Sequence, residues 1–225
     1  YKNVNNNWIQ VGSDIDGEDV DDQSGSSISL SADGSIVAIG APFNDVNGYR
    51  RGHVRIYKNV NSTWTQVGAD INGVAPYDQL GDRVSISADG SIVAIGAPYS
   101  DGDENALPLS DSRVLNGAIS TSGSRNATGH VKIFQNKNNN WVQVGADIYG
   151  YAHFDVFGLG LSLSSDGSVV AIGAPFNDNN GNTKEGGHVR IYEINYDTTT
   201  PSAPSSLTNT SQGNDTTPII TGIAE

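Results

Sequence analysis

The chain has 225 residues and a formal charge of −13, set by 12 Lys+Arg against 25 Asp+Glu. Such a surface repels phosphate backbones and anionic lipid, so no nucleic-acid partner is expected. No apolar run approaches the roughly 18 residues of a membrane helix, so no membrane insertion is expected either.

Cysteine is absent, which excludes disulfides, thiolate metal sites and cysteine nucleophiles. Methionine is absent too and the chain opens at Tyr1, which points to a piece of a longer protein whose leader, if any, lies upstream. Apolar residues at 36% with 27 glycines suit a turn-rich all-β protein better than a helical one.

Taken in chain order, Tyr1–Ile15 (YKNVNNNWIQVGSDI) reads as the end of a structural unit whose beginning is missing. The acidic stretch Asp14 to Asp22 (DIDGEDVDD) follows. Next comes SSISLS (26–31), alternating with period two, and then Asp33-Gly34, read as a two-residue hairpin turn. The second strand, SIVAIGAP, is apolar on both faces, as a strand packed between neighbours should be. An Asx-rich turn, NDVNG (44–48), leads to a Gly-His pair and the strand HVRIYKN. The fourth strand, TWTQVGADI, starts after Asn59–Asn61. Strands are therefore expected over about 26–31, 35–41, 53–58 and 63–68.

The whole sentence is then written again. Gly40, Gly96 and Gly173 are spaced 56 and 77 residues apart, as are Trp8, Trp64 and Trp141. One Ser/Asn/Gly-rich insertion, roughly Glu104 to Thr128, accounts for the longer interval. Four short antiparallel strands repeated in series read as β-propeller blades, since one such sheet cannot cover both its faces and a neighbour can. The expected fold is all-β, with about three blades of four antiparallel strands as a fragment of a larger propeller, and no long helix.

The order "FG/LG…SLS-x-DG-x-x-VAIGAP…GHVRIY" resembles the FG-GAP repeat of integrin α-subunit propellers and their bacterial relatives. Gly-Ala-Pro stands at 40–42, 96–98 and 173–175; Phe157-Gly158 matches the opening, where Ser24-Gly25 and Leu80-Gly81 stand in the other copies. The resemblance covers residues 1–196. Beyond it, 197–225 is Thr/Ser/Pro-rich like a linker, and its end, TTPIITGIAE, resembles the start of a bacterial Ig-like repeat.

Metal binding is the first chemistry to weigh. Asp14, Asp16 and Asp19 crowd together as in a calcium loop, but the copies keep only the outer aspartates and the Gly; Asp16 becomes Asn72 and then Tyr149. Asp45, Asp101 and Asp178 recur, followed two residues later by Asn47, Asp103 and Asn180, a pattern that tight Asx turns explain by themselves. The family's calcium motif, D-x-D-x-D-G, lies before Gly-Ala-Pro, where this chain has only the shorter Ser31–Ser35. No cofactor is expected, and these nine residues are the positions where calcium would bind if it did.

The Gly-His pairs at 52–53, 129–130 and 187–188 lack a recurring nucleophile, so each His is expected to be a strand-opening residue satisfied by the backbone. The tryptophans are expected to pack between blades. Without a catalytic constellation, the expectation is a non-catalytic, acidic, extracellular or cell-surface module for adhesion or ligand binding. Its partners would be a protein or glycan and the neighbouring blades of the same full-length chain. The insertion after Asp101 is its expected display loop. The alternative is the scaffold of a secreted hydrolase or lyase whose active site lies elsewhere.

Overall fold

The computed structural model describes residues 2–46, 49–101, 127–178 and 186–195. The expected tail domain (197–225), the expected insertion (104–128) except for Ala127 and Thr128, and Asn47, Asp103 and Asn180 lie outside the described residues.

The fold is all-β, with antiparallel, propeller-like blades and no helix among the described residues. A hairpin of β1 (Lys2–Val4) and β2 (Asn7–Ile9) comes first. The first blade holds β3 (Ser27–Leu30), β4 (Ile36–Ala41), β5 (His53–Val60) and β6 (Thr63–Gln66) in that spatial order, with β7 (Ile71–Asn72) on the start of β5. The second repeats it with β8 (Arg83–Ile86), β9 (Ile92–Ala97), β10 (His130–Lys137), β11 (Asn140–Gln143) and β12 (Ile148–Tyr149). The third has β13 (Gly160–Leu163), β14 (Val169–Ala174) and β15 (His188–Glu193).

Two local expectations are corrected. The Asp-Gly pair does not form a two-residue hairpin. The loop runs from Ser31 to Ser35, with Gly34 left-handed (φ 68°) and Asp33 not. Its carboxylate accepts from Ser31 Oγ at 2.7 Å and Ser35 N–H at 2.9 Å, so Asp33 organises the turn with its side chain. The true two-residue turns are the Asn-rich ones. Asn61 and Ser62 both take positive φ, as do Asn138 and Asn139, which matches the twist of a tight hairpin.

The fourth strand is also broken. Val67 N–H still donates to Ile56 (2.7 Å), but Gly68 turns left-handed (φ 76°) and the chain rejoins β5 only at Ile71–Asn72. A single strand over 63–68 does not describe it. The break matters because it sets Asp70 beside His53, the residue that opposes Asn72.

Blades stack by a repeated backbone step. Ala32 N–H donates to Ala88 O, and Ala88 N–H to Ser165 O, each at 2.8 Å. Ser29 Oγ accepts from Ile86 N–H (3.1 Å), and Ser85 Oγ from Leu163 N–H (2.9 Å). The core lies between the sheets: Ala38, Val54 and Ile56 pack on Ile86, Val93 and Ile95. Burial follows stacking rather than residue type. Val54 and Ile56 are 0% and 2% exposed, whereas Val189 and Ile191, at the same places in the third blade, are 67% and 70% exposed.

Candidate functional site

The recurring residues are used for architecture. Each acidic stretch ends in a buried aspartate, Asp22, Asp78 or Asp155, that accepts a backbone N–H three residues earlier. Asp22 also accepts from Asn44 Nδ2 at 2.7 Å, and Asp155 from Asn177 Nδ2 at 2.9 Å, so the carboxylate ties the inter-blade loop to the Asx turn of its own blade. Burial raises the Asp78 carboxyl above its ordinary range.

The nine calcium candidates are not drawn together where they are described. Asp14 accepts from Gln10 (2.7 Å), an interaction repeated by Gln66–Asp70 (2.6 Å) and Gln143–Asp147 (2.7 Å). Asp16 offers its backbone carbonyl to Arg55 (3.1 Å), and Asp19 accepts from the N–H of Val20 (2.8 Å). Asp45 accepts from the N–H of Arg50, closing its own turn. Asp101 and Asp178 are exposed.

The histidines depart from expectation. They are not satisfied by the backbone: Nδ1 of His53, both ring nitrogens of His130 and Nε2 of His188 are buried without a hydrogen-bond partner. Burial and the cation two residues on hold all three below the ordinary histidine range, His130 at about 4.

The surroundings of the three rings then diverge. In the second blade Lys132 Nζ pairs with Asp147 at 2.5 Å beside His130. In the third, Arg190 stacks over Tyr151, 3.3 Å from the ring centre. In the first, Arg55 pairs with Glu18 (3.2 Å), whose second oxygen lies 3.8 Å from His53 Nδ1. Glu18, His53 and Asp70 bring three ligating atoms within 4.8 Å of one another, the only such group of three among the described residues.

Sequence reasoning missed this group because Glu18 corresponds to Val74 and Tyr151 in the later copies. Comparing the copies finds what recurs, and this cluster occurs once. The available signal was an acid in the inter-blade loop combined with an Arg two residues after the His.

A shallow hollow of about 240 Å³ of solvent space lies beside the second blade, lined by Ala69, Asp70, Ile71, Asn72, Phe134, Asn140 and Trp141. It is open and carries no convergent polar groups beyond Asp70 and two Asn side chains.

Comparison with protein-family profiles and with curated proteins returns no match. Among solved structures, the chain is similar to a candidate 6-phosphogluconolactonase from Bacteroides uniformis, with 11% identity and a TM-score of 0.44 over 77% of this chain and 38% of that one. It is also similar to hydrazine synthase of Kuenenia stuttgartiensis, with 17% identity and a TM-score of 0.37 over 66% of this chain and 36% of that one. The chain thus spans less than two fifths of either neighbour's length.

Proposed function

We propose that the chain is a non-catalytic, extracellular propeller-type module of the FG-GAP kind that presents loops to a protein or glycan partner, as in adhesion. The observation that supports this most is how the blade closes its long loop. Gly52 N–H donates to Asn44 O (3.1 Å) and Gly187 N–H to Asn177 O (2.9 Å), closing the short Asx loops of the first and third blades. Gly129 N–H donates to Ser100 O at 2.9 Å, the same bond, across the far longer interval of the second. A scaffold that seals the base of a loop identically whatever its length leaves the loop free to vary, which is how rigid β scaffolds carry recognition.

The recurring polar residues are meanwhile used in turns and blade contacts. Thr128 Oγ1 lies 3.4 Å from His153 Nδ1, but the same hydroxyl is 3.5 Å from the Asp101 carbonyl, and the pair does not recur in the other copies. The neighbouring blades of a longer chain would cover the apolar faces that carry Ile28 and Leu30 at one end and Val189 and Ile191 at the other.

The test is a deletion of Ala106–Ser124 with the ends joined, assayed on a glycan array and on cell surfaces beside the intact chain. Surface or glycan binding that vanishes on deletion, with an unchanged melting temperature, supports the reading. Binding that survives the deletion, or no binding by the intact chain, overturns it.

A further inference from the structure

The first blade differs from its copies at one chemical feature, the triad of Glu18, His53 and Asp70. We infer that these three side chains form a binding site for a single d-block divalent cation of the zinc type, with the fourth position open to water.

The donor set is the first argument. His53 is 1% exposed, its Nδ1 has no hydrogen-bond partner, and that nitrogen faces Glu18 Oε2 at 3.8 Å. A buried ring nitrogen left unpaired is destabilising, and coordinating a cation satisfies it. Zinc binds imidazole nitrogen and carboxylate oxygen at about 2.0–2.2 Å, so ligand atoms stand about 3.4 Å apart around a tetrahedron. The His53–Glu18 edge is a few tenths of an ångström wider than this and all three ligand atoms lie within 4.8 Å of one another, a gap that the half-exposed Glu18 side chain can close. One imidazole with two carboxylates suits zinc and its d-block neighbours; calcium takes six to eight oxygens and would leave the nitrogen unused.

The outer shell is the second argument. Both carboxylates are held by one oxygen: Arg55 Nη1 lies 3.2 Å from Glu18 Oε1, and Gln66 Nε2 donates to Asp70 Oδ1 at 2.6 Å. Donors that fix one oxygen orient the other, as outer-shell groups do at metal centres. The broken fourth strand supplies the geometry, since it returns Asp70 to the start of β5.

The other copies provide internal controls. Val74 stands where Glu18 does, and the ammonium of Lys132 occupies Asp147 at 2.5 Å, so the second blade has two ligands at most and a resident cation. The third blade has Tyr151 in the acid's place. The site should therefore bind one ion per chain.

The experiment is zinc titration by calorimetry of the tag-free, chelator-treated chain, with Co²⁺ absorption as a second readout. One ion per chain is expected, with the strongly intensified visible Co²⁺ band of a four-coordinate site. Glu18→Gln, a change at a half-exposed side chain that should leave the fold intact, should weaken binding at least tenfold. His53→Gln should do the same and abolish the band, while His130→Gln should leave both unchanged. Absence of saturable binding, or binding that persists in Glu18→Gln and His53→Gln, overturns the inference and assigns any zinc uptake to surface carboxylates.

Discussion

The indole Nε1 of Trp141 donates a 2.8 Å hydrogen bond to the backbone carbonyl of Val67, one blade back in the stack. Trp64 makes the same bond to Val11 at 3.1 Å. Under each ring lies a left-handed glycine, Gly68 or Gly12, whose added Cβ would stand 3.0 Å from the indole Cδ1. The Trp-x-Gln-Val-Gly stretch is therefore a relay: its glycine seats the next blade's ring while its own ring reaches to the previous blade. Gly145, last in the series, meets nothing within 4 Å, and Trp8, first in the series, is 70% exposed.

This relay predicts unequal costs for the same substitution. Trp141→Phe removes a hydrogen bond and leaves a carbonyl unpaired, about 1–2 kcal/mol. Trp141→Ala also removes a packed ring and should cost about 3 kcal/mol or more. Trp8→Ala should change stability by less than about 0.5 kcal/mol. Denaturant melts of the three variants decide it; equal losses at Trp8 and Trp141 would show that the rings act within their own hairpins.

The paired glycines of the repeat have a similar origin. A Cβ on Gly40 would lie 2.0 Å from the carbonyl oxygen of Gly81 in the next blade, and one on Gly96 would lie 2.7 Å from that of Gly158. On Gly173 the nearest atom is the Cα of Gly160 at 3.4 Å, an ordinary contact within its own blade. The opening glycine of one copy and the Gly-Ala-Pro glycine of the copy before it thus let two backbones approach. Gly40→Ala and Gly96→Ala should each cost about 1–3 kcal/mol or more by overpacking. Gly173→Ala should lie within about 1 kcal/mol of the parent in the same melts. A comparable loss at Gly173 would mean that these glycines serve their own strands.

Period-two alternation and the repeat placed the strands well because both report which side of a strand meets a neighbour. The expected 26–31 and 35–41 became Ser27–Leu30 and Ile36–Ala41. What escaped depends on contacts distant in sequence. β7 is two residues long and exists only because β5 has free edge at His53–Val54. The Asp33 loop looked like a minimal hairpin because Asp-Gly signals one, but Ser31 Oγ competes for the carboxylate and widens it. The triad escaped for another reason: Glu18 reaches His53 across an inter-blade loop, and neither residue's neighbours in sequence announce the meeting.

One conformational cost is also specific. Phe154 is exposed yet holds φ 67°, where Cβ crowds the following carbonyl. The equivalent residues Asp21 and Tyr77 take the same conformation, so the loop demands it. Phe154→Asn should raise stability by about 0.5–1 kcal/mol, because Asn tolerates this region better. A loss of stability in thermal melts would show that the ring contributes packing that outweighs the strain.

The last prediction concerns acid, where two kinds of group act over different ranges. His130 is held at about 4 by burial, then by the charge of Lys132, with Asp147 opposing, against 6.5 for the free side chain. Between those values the unfolded chain binds a proton that the folded chain refuses, so stability should fall as pH drops from about 6.5 to 4, by on the order of 1–3 kcal/mol. Asp33 and Asp166 behave in the opposite sense of charge. Hydrogen bonds from Ser31 and Ser35, and from Ser164 and Ser168, hold their carboxyls at about 2, below the ordinary 3.8. Their contribution is complete above pH 3.8 and disappears as pH falls towards 2. Asp78 works against the histidine limb near its lower end, since burial raises its carboxyl. Melting temperature against pH should therefore show two acid limbs. His130→Gln should make the upper limb shallower, leaving the share of His53 and His188, and spare the lower limb, while Asp166→Asn should weaken the lower limb alone. If His130→Gln leaves the slope between pH 6.5 and 4 unchanged, the ring is protonated in the folded chain and its burial has been compensated by Asp147.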